Sequence, residues 1–216
     1  MKKRSGKKTA NGKVRRRAQF RAPRAIRSAK NAVFLVGFMG AGKTSVGRVL
    51  AQRLNWDFED LDDRVEFRER RTVSEIFRDS GESEFRRAEH DALRSVVEEL
   101  AGGAVKVVAL GGGAFVQERN AALLKACGLP TVFLEAPVDE LWQRCAEQAR
   151  EVGGERPLLR SREQFSQLYE TRRAIYGRAS FQIQTGGRAV TEIADEIARA
   201  LALKKVEIRV EQGEVE

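Results

Sequence analysis

Residues 32–54 read AVFLVGFMGAGKTSVGRVLAQRL, an apolar run, a glycine-rich turn and a helical period in immediate succession. Within them Gly37, Gly42, Lys43 and Thr44 match the spacing GxxxxGK[ST], and the context of strand before and helix after is the one this loop requires. The backbone must curl so that successive N–H groups point inward at phosphate oxygens, and side chains at the glycine positions would obstruct that path. The unpaired amides and positive dipole end of the following helix add to the attraction. Gly40, Ala41, Gly42, Lys43, Thr44 and Ser45 therefore form a candidate nucleoside-triphosphate site. Lys43 is placed to reach the β- and γ-phosphates, and the Thr44 hydroxyl to take a place on Mg²⁺. Such a loop fixes the donor of a phosphoryl group and leaves the acceptor open.

The remainder of the chain repeats the alternation. WDFED (56–60) precedes helical segments that run to about Ala101, VKVVAL (105–110) precedes a helix over 118–127, TVFLE (131–135) precedes a helix over 138–150, and SFQIQT (180–185) precedes a helix near 189–204. Short β-rich runs separated by helices imply parallel strands with crossover helices, so the expected architecture is a three-layer α/β sandwich. With 216 residues the chain suits one well-buried domain, expected over residues 31–204, and it contains no apolar run near 18 residues that would cross a membrane. The alternation from Val206 to Val210 fits either an added edge strand or a frayed tail, within a C-terminal segment 205–216.

Charge is unevenly spread. The formal net charge is +9, yet residues 1–30 hold 13 of the 40 Lys and Arg and none of the 31 Asp and Glu, which leaves the rest at −4. That basic segment has few large apolar residues and repels itself, so it is expected to be disordered. It reads as a solubilising extension with at most weak polyanion contact; a transit peptide and a nucleic-acid arm are the alternatives. With no secretory segment in the sequence, the cytoplasm is the expected location. Cys127 and Cys145 lie far apart with no CxxC spacing, which reads as two buried thiols.

FEDLDDRVE places Asp60 and Asp62 just after the second strand, at the edge where ligands gather in such sheets. Acids there can orient metal-bound water or accept a hydroxyl proton, while Asp62 or Asp63 could equally start the next helix as a cap. VVALGGGAF ends the third strand in Gly111, Gly112 and Gly113, best explained by close approach of a ligand to bare backbone. The strand that would carry a metal-directing acid thus ends in glycine, and Asp60 becomes the candidate for that work. In EFRRAEHDALRSVVEELA, Phe85, Ala88, Leu93, Val96, Val97 and Leu100 share a helical face with Arg86 beside it and Glu89 three residues on. The single histidine, His90, reads as an exposed or hydrogen-bonded helix residue without a catalytic role.

Together GFMGAGKT, the Asp60-x-Asp62 pair, SGESEFRRAE around Arg86, GGG at 111–113, RPLL at 156–159 and RRAIY at 172–176 resemble shikimate kinases, over about residues 32–204. The resemblance implies a three-layer α/β/α P-loop kinase fold with a central five-stranded parallel sheet and a mobile lid over about 150–161. It implies ATP and shikimate as substrates, Mg²⁺ as the cofactor, and a monomer. By motif, Asp62 would contact the acceptor hydroxyl, Arg86 and Arg172 its carboxylate, and the backbone of Gly112 and Gly113 the same pocket. Lys43 and Arg156 would stabilise the transferring phosphate, with Arg156 also touching ATP, and Thr44 and Asp60 would hold the metal, Asp60 directly or through water. The sequence departs from the family where Ala174 replaces the proline of R-x-P-L-Y, where Arg150 lies six rather than seven residues before the lid arginine, and where no acid follows Ala179.

Overall fold

The computed structural model describes residues 31–152 and 161–206. Five strands, β1 (Ala32–Val36), β2 (Asp57–Asp60), β3 (Lys106–Ala109), β4 (Thr131–Glu135) and β5 (Phe181–Gln184), form one parallel sheet in the order β2-β3-β1-β4-β5. Seven helices connect or follow them: α1 (Lys43–Leu54), α2 (Leu61–Glu69), α3 (Val73–Ala101), α4 (Glu118–Cys127), α5 (Val138–Val152), α6 (Arg162–Tyr176) and α7 (Val190–Ala200). β1 is central, with Phe34 facing Val108 on one side and Thr131 on the other, and all five of its residues are buried. A strand covered on both faces has no solvent side to alternate towards, hence the unbroken AVFLV.

The edge strand β2 shows how the layers divide. Phe58 lies against α1, where a Cβ on Gly47 would come within 2.5 Å of its ring. The next side chain, Glu59, points to the opposite face and bonds Arg64 of α2 and, at 2.7 Å, Lys106 of β3. Successive strand residues point to opposite faces, so α1 lies on one side of the sheet and α2, with the α3 residue Glu99 that also binds Lys106, on the other. Helix α7 packs alongside α1.

Helix ends follow the sequence closely. α3 begins with a capping box in which the Thr72 hydroxyl accepts from Glu75 N and the Glu75 carboxylate accepts from Thr72 N. The same element is broken at Gly81, whose φ of 78° interrupts the helical path between the part nearest α2 and the part that carries Arg86. α7 stops at Ala200, four residues before the expected end, because Ala202 turns left-handed (φ 49°) and Leu203 N donates back to Ala198 O at 2.9 Å. Lys204 and Val206 are then tied to the α1–β2 turn by Trp56 Nε1 donating to Lys204 O at 3.2 Å and Val206 N donating to Leu54 O at 2.9 Å. Both cysteines are buried and outside any disulfide. No helix among the described residues is long and apolar enough to cross a membrane. The basic segment 1–30, the lid residues 153–160 with Arg156, and residues 207–216 lie outside the described residues.

Candidate active site

The phosphate loop leaves the carboxyl end of β1 at the middle of the sheet. Its glycines are required by packing as well as by backbone curl: a Cβ on Gly40 (φ 76°) would meet Leu141 O at 2.7 Å and Cys145 Sγ at 2.9 Å, both on α5. Lys43 folds back over the loop and donates to Gly37 O at 3.0 Å and Phe38 O at 2.9 Å. Burial lowers its pKa, an effect opposed by the nearby charges of Asp62 and Asp60. The ammonium is therefore held in the loop by two carbonyls that a phosphate oxygen can replace.

Thr44 starts α1 and donates its hydroxyl proton to Asp60 Oδ2 at 2.8 Å, which joins the loop to the end of β2. Asp60 is also the cap of α2, its Oδ1 accepting from Asp62 N at 3.1 Å. The cap is thus Asp60 and not Asp62 or Asp63, because the helix starts at Leu61, Asp62 and Asp63 lie within its first turn, and Asp60 has the extended backbone of a cap residue. This releases Asp62 for other work. Asp62 Oδ1 is buried with no hydrogen-bond partner among the described residues, and burial first, then the Asp60 charge, push its pKa up to about 6 against the opposing pull of Lys43 and Arg86.

The glycine triplet also makes room within the chain itself. A Cβ on Gly111 would sit 2.4 Å from Asp62 Oδ1, and one on Gly113 would sit 2.5 Å from the Arg86 guanidinium. Two of the three glycines thus make room for the chain's own side chains; only Gly112 has open space beside it, with nothing nearer than 3.8 Å. No described residue accepts a hydrogen bond from the N–H of Gly112 or Gly113. The turn is pinned by Asn120, whose Nδ2 donates to Ala114 O at 3.0 Å. Since that fixes Asn120 Oδ1 as an acceptor, His90 Nδ1 at 2.7 Å is the donor, which accounts for the only histidine structurally.

Arg86 enters from α3 and is held by Glu89 Oε2 at 3.0 Å and Glu82 Oε1 at 3.1 Å. Glu89, with 1% of its side chain exposed, is pushed up to about 7 by burial despite Arg86. Arg172 enters from α6, with its guanidinium 5.9 Å from the Phe38 ring centre and Nη1 3.4 Å from Gly112 O. Ala174 is exposed on an unbroken α6, so the missing proline leaves this helix intact. Glu89 and Tyr176, which donates to Gly112 O, carry no role in the sequence reading. A buried acid three residues from Arg86 on an otherwise apolar helical face was the available signal for Glu89.

On the far side of the loop a cleft of about 280 Å³ is lined by Gly40, Gly42, Ser45, Arg144, Gln148 and Arg188. Arg150 is not among its lining residues. For a metal, Thr44 and Asp60 offer two oxygen donors side by side, and no cluster of three or more His, Cys, Asp or Glu exists among the described residues. Few protein ligands, all oxygen, fit Mg²⁺, which keeps several waters and takes others from phosphate.

A phosphate loop after the central strand, a hydroxyl–carboxylate pair joining it to β2 and an acid–arginine pocket beside it define a P-loop phosphotransferase of the small-molecule kinase class. Within that class the chain belongs to the shikimate kinase family, whose sequence model matches residues 39–202. It is 36% identical over 166 residues to a shikimate kinase of Persephonella marina, covering 76% of this chain and 95% of that one. It is 40% identical over 169 residues to one of Geobacter sulfurreducens, covering 77% and 88%. Among solved structures, a shikimate kinase from Acinetobacter baumannii in complex with shikimate superposes with a TM-score of 0.70 at 33% identity, covering 85% of this chain and 98% of that one.

Proposed function

We propose that the protein transfers the γ-phosphoryl group of ATP to the 3-hydroxyl of shikimate, giving shikimate 3-phosphate and ADP. The observation that carries this reading is Asp62: a buried carboxylate oxygen without a partner, between the phosphate-loop lysine and an arginine pocket. Such an atom needs a donor, and an acceptor hydroxyl aimed at the γ-phosphate supplies one. Asp62 orients that hydroxyl and takes its proton as transfer proceeds. Arg86, Arg172 and the amides of Gly112 and Gly113 hold the carboxylate end, planar guanidinium groups being suited to binding both of its oxygens.

Phosphoryl transfer has a loose transition state, so catalysis consists mostly of positioning and of charge placed in advance. Lys43 supplies that charge from the loop, exchanging its two carbonyl partners for phosphate oxygens. Mg²⁺, when bound at Thr44 and Asp60, would neutralise charge on the phosphates. Arg156 joins from the RPLL segment by motif, and the cleft beside Arg144 and Arg188 accepts the nucleoside. We place catalysis in residues 31–204 of a monomer acting in the cytoplasm, with the basic extension outside the chemistry.

A coupled ADP-release assay with Mg-ATP and shikimate, gluconate or no acceptor tests the proposal. Turnover is expected with shikimate alone. ADP release that is the same with and without shikimate, in protein that binds ATP, would refute it.

A further inference from the structure

Gly112 O receives two donors from the last turn of α6: the Tyr176 hydroxyl, in close contact, and Arg172 Nη1 at 3.4 Å, near the outer limit of a hydrogen bond. The two side chains are four residues apart on one helix and so project from the same face. Tyr176 is fully buried, and its ring packs on Phe133 of β4 with centres 5.3 Å apart. Burial pushes its hydroxyl up to about 12, so it carries its proton at neutral pH and can donate. The carbonyl is thus satisfied by tyrosine, and Arg172 reaches it only at the outer limit of a bond while lying against the Tyr176 hydroxyl as well.

From this geometry, and resting on the function proposed above, we infer that Tyr176 is a positioning residue for the acceptor carboxylate: by satisfying the Gly112 carbonyl, it leaves the Arg172 guanidinium free to turn to its ligand. It also fixes the Gly112–Gly113 peptide. No peptide bond in the described chain is cis, and in a trans peptide the C=O and the following N–H point in opposite directions. With the Gly112 carbonyl held at α6, the Gly113 N–H faces away from that helix, where no protein acceptor meets it. Without the tyrosine hydroxyl, Gly112 O has only Arg172 to pair with. Ligand binding would then have to break that pairing and leave the carbonyl unsatisfied.

Tyr176→Phe keeps the ring and removes the donor. Its expected effect is a rise of about tenfold in the KM for shikimate, the size of one partly buried hydrogen bond, with kcat and the KM for ATP within about twofold of the parent. A purely structural defect would move both KM values together. The decisive comparison is in the Arg172→Ala background, where adding Tyr176→Phe should raise the shikimate KM no further, because the effect runs through Arg172. An unchanged KM for shikimate in Tyr176→Phe, a parallel rise in both KM values, or the same increment in the Arg172→Ala background would each overturn the inference. A parent protein without shikimate-dependent turnover overturns the functional reading and this inference with it; an active parent beside an indistinguishable Tyr176→Phe overturns this inference only. Should the variant not fold, NMR of the unsubstituted protein decides. Adding shikimate should shift the Arg172 side-chain resonances and leave the Tyr176 Cζ nearly still, because the tyrosine keeps its bond to Gly112 O, and a comparable shift at both would overturn the proposal.

Discussion

On the phosphate side of the site, eight consecutive residues, Gly37 to Thr44, supply the loop, its lysine and the hydroxyl that meets Asp60. On the acceptor side the groups come from α2, α3, the turn after β3 and α6, with more than a hundred residues of chain between Asp62 and Arg172. The electrostatics differ as well. On the phosphate side the side chains are paired, Lys43 with two of the loop's own carbonyls and Thr44 with Asp60, and the loop's amides are what is left for phosphate. The proposed acceptor side holds, among the described residues, an Asp62 oxygen and two glycine amides without partners, and beside them a buried Glu89 pushed up to about 7. A loop that binds a triphosphate can keep its side chains paired and offer its backbone amides to the phosphates. A pocket that must tell one small hydroxy acid from another keeps polar groups that only the right ligand satisfies.

The largest expected effect breaks the acceptor side alone. Asp62→Asn keeps the shape and removes the charge and the proton acceptor, so kcat should fall on the order of 10²- to 10⁴-fold. ATP affinity, measured by calorimetry without acceptor, should stay within a few-fold, because Lys43 and Thr44 are held by Gly37 O, Phe38 O and Asp60 and not by Asp62. Equal losses of nucleotide binding and turnover would mean that the two sides are not separate.

A glycine on each side sharpens the contrast at a smaller scale. Gly111→Ala puts a methyl group 2.4 Å from Asp62 Oδ1, so the carboxylate must move, and misplacement by about an ångström costs up to about 10²-fold in rate. Gly40→Ala instead collides with Leu141 O and Cys145 Sγ behind the loop and should act on ATP. Steady-state kinetics with each substrate varied should therefore show opposite patterns, with shikimate parameters failing in the first variant and ATP parameters in the second. The same pattern in both would undo the division.

This division also governs how much could be read from the chain. The loop was legible because its chemistry is contiguous: spacing, preceding strand and following helix are all local. So was the alternation of strands and helices that gives the five-stranded sheet, since each element carries its own apolar period. On the acceptor side, Asp62 and Arg86 stood out only when taken with the family's other motifs. Local sequence left open which acid caps α2, because capping by Asp60 depends on where β2 ends to within one residue. The use of Gly111 and Gly113 was hidden for the same reason. What fills the space beside them comes from Asp62 and Arg86, remote in sequence. The early stop of α7 turns on one left-handed residue, Ala202, whose side chain gives no sign of it.

The smallest expected effect concerns stability. Glu89 pairs with Arg86, yet burial outweighs the arginine and raises its pKa from an ordinary 4.5 to about 7. A folded-state pKa above the unfolded one means that the folded protein holds the proton more tightly. The stability this confers is fully present below pH 4.5 and is lost as pH rises through about 7. Glu89→Gln has no proton to lose, so its melting temperature relative to the parent should rise between pH 5 and pH 8. The limit is on the order of 3 kcal/mol for a shift of this size, or roughly 5–10 °C in a domain of this length. The opposite trend, a variant that loses ground as pH rises, would show that Arg86 dominates and that Glu89 belongs to an ordinary ion pair. The side chains of the acceptor side would then be paired like those of the phosphate loop, with the Asp62 oxygen as the exception.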